Sequence, residues 1–301
     1  MLSQKIKCKV FADLHQQDDV FLIPNPWDIG SAKVLQGLGF KALATTSSGL
    51  AYTLGRADGE VTLEEKLFHC SELAVNTTVP INADFENGFA DDPETVAHNV
   101  LKVASTGIAG CSIEDFSRDA LSLYDFNLAV ERVQAAVEAV ATLDFPFQLT
   151  ARAENLLRGI NDLDDTIKRL QAFEAVGANV LYAPGICSLV DLKQVTSELK
   201  SPFNVLAPFF RGVSVNELAE AGAKRISIKI TRAMIAAILD GSIENSEFNT
   251  DPVFGLSIPL SLNGVESRVL NPRESWEDKN LYDVNAIKLA ELFIDNFKTC
   301  F

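Results

Sequence analysis

The stretch INADFENGF sets Asp84 and Glu86 two residues apart at the end of a strand-like run, and CSIEDF brings Glu114 from the next such run. If strand geometry persists through Glu86, a period of two puts both of the first carboxylates on one side. Three carboxylates without His or Cys make a hard oxygen site that suits Mg2+ or Mn2+, held partly through water. The same spacing has a plainer reading, in which Asp84 begins a turn, Glu86 is solvated and Glu114 pairs with a Lys or Arg. Arg152, in LTARAE, has a planar fork suited to a bidentate contact with an oxyanion, or to an ion pair with one of those carboxylates. In TTSSGLAY, Ser48, Gly49 and Leu50 form either a carboxylate-binding turn of N–H groups and hydroxyls or an ordinary strand-to-helix turn. Asp58, in the glycine-rich GRADGE, reads as a base, an outer ligand or a turn residue.

These residues need a frame. Short β-branched runs alternate with helical patterns along the chain: VFLIPN, KALATTS, VPINADF, GCSIED, FQLTARAE, NVLYAPG, FNVLAPF and RISIKI are the strand candidates. Eight strands, each followed by a helix-like segment, predict a (β/α)8 barrel, an α/β fold. A doubly wound open sheet is the rival, but no GxGxxG follows the first strand. In a barrel, chemistry sits where strands end and the following loops begin. Asn25, Trp27 and Asp28, then Ser47 to Gly49, Asp84 and Glu86, Glu114 and Asp115, and Arg152, Glu154 and Asn155 all stand there.

The remaining composition narrows the function classes. The chain has 301 residues, 47% of them hydrophobic, and a formal net charge of −15, which disfavours nucleic acid or an anionic membrane as a general partner. No apolar run approaches the roughly 20 residues of a membrane helix. Cys8, Cys70, Cys111, Cys187 and Cys300 are scattered singly, so reduced thiols acting as core residues in a cytoplasmic protein are expected. His15, His69 and His98 fall in helical or surface patterns, and no Ser-His-Asp or Cys-His arrangement can be drawn from them.

LIPNPWDIGSAKVL, LGFKALATTSSGLA, INADFENGF, SIEDF, LYDFNLAVERV, LTARAE, VLYAPG and RISI, taken in order over residues 1 to about 228, resemble the isocitrate lyase/phosphoenolpyruvate mutase superfamily. The resemblance implies a homo-oligomeric barrel, dimer or tetramer, acting with Mg2+ on small 2-oxo or 2-hydroxy carboxylic acids. By motif, Asp84, Glu86 and Glu114 match its metal-shell acids. Ser48, Gly49 and Leu50 match the loop that binds the substrate carboxylate and oxo group; Asp58 matches a loop acid, Arg152 the strand-five arginine, and Trp27 falls among the substrate-binding positions. There is one departure. Lyases of the family carry a catalytic Cys in a KKCGH-type segment after strand four, whereas this chain reads EDFSRDALSLYD, with Ser117 and Arg118 its polar substitutes. Cysteine-dependent isocitrate cleavage is therefore not expected, and an oxaloacetate- or phosphonopyruvate-like acid is preferred.

A second resemblance begins at Arg225. KRISIKITRAMIAAILDGSIENSEFNTDPVFGLSIP and GVESRVLNPRESWEDKNLYDVNAIKLAELFIDNFK resemble the C-terminal end of ATP-dependent phosphoenolpyruvate carboxykinase. By that likeness Arg225 and Thr231 match residues near the kinase's nucleotide. No GxxxxGK[ST] loop is present, so kinase activity does not follow. RISI and TRAMIAAILDG can still serve as the barrel's last strand and helix. The expected domains are thus a catalytic barrel over residues 1–241 and a C-terminal α+β extension over 242–301. The alternative function is a non-catalytic or misassembled chimera of the two.

Overall fold

The computed structural model describes residues 2–210, 212–228, 246–255, 257–262, 270–276 and 278–300. The chain divides into two units, Met1–Ile228 and Lys229–Phe301. The expected eighth helix over 231–241, the expected boundary at Gly241, and Thr231 lie outside the described residues.

In the first unit, β1 (Phe21–Pro24), β2 (Leu43–Ala44), β3 (Ile81–Asp84), β4 (Gly110–Glu114), β7 (Gln148–Arg152), β8 (Val180–Tyr182), β9 (Phe203–Leu206) and β10 (Ala223–Ile228) form one sheet. Its order is β1-β10-β9-β8-β7-β4-β3-β2, and every pairing is parallel. The expected strands are all present, and they curl into a nearly closed barrel. The edges β1 and β2 meet through a side chain: Asn25 donates from Nδ2 to the carbonyls of Ala44 (3.0 Å) and Thr45 (3.3 Å). A short hairpin, β5 (Phe116–Ser117) with β6 (Ser122–Leu123), interrupts the alternation directly after β4.

The crossover helices form where capping and amphipathicity agree. In α4 (Leu63–Asn76), Thr62 and Glu65 make a reciprocal capping box. In α5 (Pro93–Ala104), Asp92 caps, Pro93 opens the first turn, and Val96, Val100 and Val103 recur on the buried face. The first helix, α1 (Gln4–Gln16), lies across the N-terminal ends of the strands, where Cys8, Phe11 and Leu14 pack with Phe21, Ile23, Ala42 and Ala109. That floor leaves the C-terminal ends of the strands as the place for chemistry. Cys8, Cys70 and Cys111 are buried as expected; Cys187 is exposed, in the loop between β8 and the helix that starts at Leu189. Cys300 lies outside the described side chains.

The second unit holds an antiparallel pair, β11 (Phe248–Thr250) with β12 (Ser257–Pro259), and a closing helix over Lys279–Cys300. Arg273 and Asp283 form a two-pronged ion pair at 2.8 and 2.9 Å, beside an edge-on contact of Trp276 with Tyr282. Among the described residues no helix is long and apolar enough to cross a membrane.

Candidate active site

Register brings the charged strand ends together. Glu114 pairs across the sheet with Arg152, and Asp84 with Ser112 one strand further on. Arg152 then spreads its fork over three carboxylates: Nη1 lies 2.7 Å from Asp84 Oδ1, and Nη2 lies 2.8 Å from Glu154 Oε1 and 3.3 Å from Glu114 Oε2. Its Nε also donates to Glu154 Oε1 at 3.0 Å. Arg158 reaches in from the following turn, 3.4 Å from Glu114 and 3.3 Å from Glu154, with its guanidinium over the Phe116 ring. The plainer reading of Glu114 and of Arg152, an ion pair, is thus what this structure contains. Burial, and then the charge of Glu154, push the Glu114 carboxyl well above its usual range. Burial also raises Asp115, to about 6, although Arg169 pairs with it at 3.1 Å.

Glu86 departs from the expectation based on strand period. β3 stops at Asp84, and Glu86 has a positive φ of 48°, so alternation no longer decides which way its side chain points. The turn remains tied to β4, because Glu114 N donates to Glu86 O at 2.8 Å. Glu86 is buried rather than solvated; Oε2 lies 3.2 Å from Arg118 Nε, while Oε1 is buried without a hydrogen-bond partner. Burial pushes its carboxyl up to about 7 against the pull of Lys66 and Arg118. Arg132, on α6 (Phe126–Ala141), shapes this turn from beneath. It donates to the carbonyls of Asn87, Ala90, Asp91 and Glu114 and lies over the Tyr124 ring. Arg132 was legible only indirectly, as a cation among the buried Ala129, Val133 and Ala136 of one helix face.

The other expected residues are placed as follows. Thr46 caps α3 (Ser47–Thr53); its Oγ1 accepts from Gly49 N at 3.2 Å, and its carbonyl accepts from Leu50 N at 3.1 Å. Ser47 N donates to Asp84 Oδ2 at 3.1 Å. The Gly49 and Leu50 N–H groups are thus engaged within the first turn of the helix. Ser48 is buried with its Oγ 3.2 Å from Thr46 Oγ1. Trp27 is half-buried, its carbonyl meeting His69 Nε2 at 2.9 Å. A Cβ at Gly49 would lie 2.5 Å from Thr46 Cγ2 and 3.0 Å from Trp27 Cβ. Gly49→Ala is accordingly expected to lower stability by about 1–3 kcal/mol, read as a fall in the thermal midpoint; an unchanged midpoint would mean that Trp27 yields freely. Asp58 is exposed in the loop between α3 and α4, beside Gly59. Arg225 lies inside the barrel on β10, bonded to Asn204 Oδ1 (2.7 Å) and Thr150 Oγ1 (3.3 Å), so here it is a wall residue of the barrel.

In donor type the acids fit a divalent cation. They are carboxylates without soft ligands, and Glu86 Oε1 is a buried oxygen that lacks a partner. They are not preassembled: among the described residues no group of three or more His, Cys, Asp or Glu side chains is disposed around one ion, because arginines hold these acids. Asp84, Glu86 and Glu114 would hold such an ion only after exchanging guanidinium contacts for it.

The sequence family described as phosphoenolpyruvate phosphomutase matches residues 11–244. The chain belongs to that family. Among solved structures, a candidate lyase/mutase from Burkholderia cenocepacia J2315 is 43% identical with a TM-score of 0.75, over 80% of this chain and 88% of that one. A 2,3-dimethylmalate lyase of the phosphoenolpyruvate mutase/isocitrate lyase superfamily is 25% identical with a TM-score of 0.71, over 81% of this chain and 87% of its own. The family and its structural neighbours are enzymes: lyases, mutases and hydrolases. The C-terminal segment matches elsewhere. The ATP-dependent phosphoenolpyruvate carboxykinase of Parvibaculum lavamentivorans (strain DS-1 / DSM 13023 / NCIMB 13966) is 55% identical over 73 residues, 24% of this chain and 14% of that enzyme. The chain thus spans about 14% of the length of the curated relatives it matches. The phosphomutase match runs to residue 244, into the segment shared with the carboxykinases.

Proposed function

We propose that this phosphomutase-family chain is a Mg2+- or Mn2+-dependent enzyme that cleaves a carbon–carbon or phosphorus–carbon bond of a small 2-oxo or 2-hydroxy acid, oxaloacetate- or phosphonopyruvate-like. The observation that carries the proposal is the Arg152 fork at the barrel's C-terminal end, already surrounded by carboxylates at 2.7 to 3.3 Å. A substrate carboxylate would be recognised by the same charge-assisted hydrogen bonds that the protein carboxylates already make to this guanidinium. From a 2-oxo acid, release of carbon dioxide or transfer of the phosphoryl group to water leaves the bond's electron pair on the carbon beside the oxo group, as an enolate. From a 2-hydroxy acid, loss of the hydroxyl proton forms the 2-oxo product and leaves the pair on the departing carbon, as the enolate of its carboxylate. Arg152, with Arg158 beside it, supplies positive charge already held in place for that enolate. In this reading Asp58, exposed in its loop, serves as the acid–base group for the product carbon. A bound divalent cation would add Lewis-acid chemistry. The 2,3-dimethylmalate lyase likeness supports the substrate class, and the hairpin after β4, which has no Cys, supports cleavage without a thiol.

The test is a screen of oxaloacetate, phosphonopyruvate and substituted malates with Mg2+ or Mn2+, on the full chain and on a version truncated after Gly241. Turnover of one of these acids, lost with EDTA and in Glu86→Ala, is expected of the full chain. Absence of turnover on all of them would remove the proposal and favour the non-catalytic chimera.

A further inference from the structure

The hairpin β5–β6 follows β4, and in place of a cysteine it carries Arg118. That side chain joins three pieces of the rim. Its Nε pairs with Glu86 Oε2 at 3.2 Å, and its Nη2 donates to the carbonyls of Gly59 and Val61. Its guanidinium also lies 4.8 Å from the centre of the Phe89 ring. Gly59 and Val61 belong to the loop that carries Asp58, so one arginine ties the hairpin and that loop to the Glu86 carboxylate. Glu86 is the carboxylate it pairs with among the described residues, and its other polar partners are neutral carbonyls. Ser117, next to it, is pinned separately to Asp91 at 3.2 Å, and Leu121 at the tip is exposed with a φ of 52°.

We propose that Arg118 is a positioning residue that competes with a divalent cation for Glu86, so that cation binding unlatches the hairpin and the Asp58 loop. The inference rests on the cation reading given under the proposed function. Lys66 of α4, fully buried and with no hydrogen-bond partner for its Nζ, also favours the charged form of Glu86. A dication arriving at the unpartnered Oε1 would put a third centre of positive charge on one buried carboxylate, where repulsion is weakly screened. Lys66 is fixed inside a helix, whereas Arg118 is on a two-rung hairpin and partly exposed. Arg118 is the group able to leave. Linkage then makes the effect reciprocal: if the cation loosens the latch, the latch weakens the cation by the same factor.

The experiment measures Mn2+ affinity by the free-ion electron paramagnetic resonance signal, and hydrogen exchange over residues 57–61 and 116–123, using the full chain. In the wild type, Mn2+ is expected to speed exchange in both segments. Arg118→Gln should bind Mn2+ at least about fivefold more tightly, within the usual span of such couplings, and its hairpin should exchange fast with or without the ion. Arg118→Lys keeps the charge but loses the fork, and should fall between the two. Slower hairpin exchange with Mn2+, or any order of affinity other than wild type, Lys, Gln, overturns the proposal. Equal affinities overturn the proposal alone, whereas no Mn2+ binding by any of the three proteins overturns the cation reading and the proposal with it.

Discussion

Arg152→Ala should lower the stability of the chain by about 3–5 kcal/mol and reduce kcat/KM on the turned-over acid by about 100- to 1,000-fold. The two effects share one cause. Asp84, Glu114 and Glu154 converge on a guanidinium whose side chain is 11% exposed, and Glu154 is fully buried. Without the arginine, Glu154 retains Arg158 at 3.3 Å as its ion-pair partner among the described residues, and Asp84 retains the Ser47 N–H among its polar contacts described above. Carboxylates left in a poorly solvated interior either remain ionised at high cost or take up protons, and each outcome lowers stability at neutral pH. Arg152→Lys retains the charge but can reach at most part of this arrangement, so it should recover part of the stability and little of the activity. A double variant, Arg152→Met with Glu154→Gln, should be more stable than Arg152→Met alone, because it removes a stranded charge with its partner. Urea unfolding followed by circular dichroism reads all four proteins. If Arg152→Ala unfolds within about 0.5 kcal/mol of the wild type, the three acids are not held by this residue.

The barrel was legible because its signals are local. Each strand run from VFLIPN to RISI is short and becomes a strand of the sheet, and among the described residues each of the first seven is followed by a capped helix. The position of the acids was legible for the same reason, since polar residues accumulate at strand ends. Their partners were not. Arg118, Arg132 and Arg158 sit in a hairpin, on a helix and in a turn, and only the closure of the barrel brings them to Glu86, Asn87 and Glu114. Glu86 shows the limit of period arguments. A strand rule applied one turn too far assigns its side chain by alternation, while the real backbone is left-handed there and is held by a hydrogen bond from Glu114. The turn at Gly49 was ambiguous for a related reason: TTSSGLAY does not show that a helix starts at Ser47, whose cap Thr46 takes up the Gly49 N–H.

His15 should control the acid limit of the protein, contributing about 5 kcal/mol of stability near neutral pH that is lost on acidification. It lies on α1 beneath the barrel, 2% exposed, between the rings of Phe11 at 4.6 Å and Phe21 at 5.0 Å. One ring nitrogen, Nδ1, meets Phe11 O at 2.8 Å, and the other, Nε2, is buried without a partner. A proton added to Nε2 would have no acceptor and would stand near Arg225, whose own hydrogen bonds go to the neutral Asn204 and Thr150. Burial first, and the charge of Arg225 second, therefore push the imidazole down from 6.5 to about 3, against the contact with Phe11. The folded value lies below the unfolded one, so the contribution is complete above pH 6.5 and falls away as pH drops towards 3. His15→Gln can still donate to Phe11 O but cannot charge. It should be less stable than the wild type by about 1 kcal/mol at pH 7.5, for the lost ring contacts, and more stable at pH 4, so that the two stability curves cross. Carboxylates titrating elsewhere cancel in the difference between the two proteins, which is why the crossing and not the wild-type curve is the readout. A gap that stays constant from pH 8 to pH 4 would show that His15 charges as easily folded as unfolded. With the crossing observed, an activity loss below about pH 6 in wild type that persists in His15→Gln belongs to the carboxylates around Arg152, and one that disappears belongs to the barrel floor.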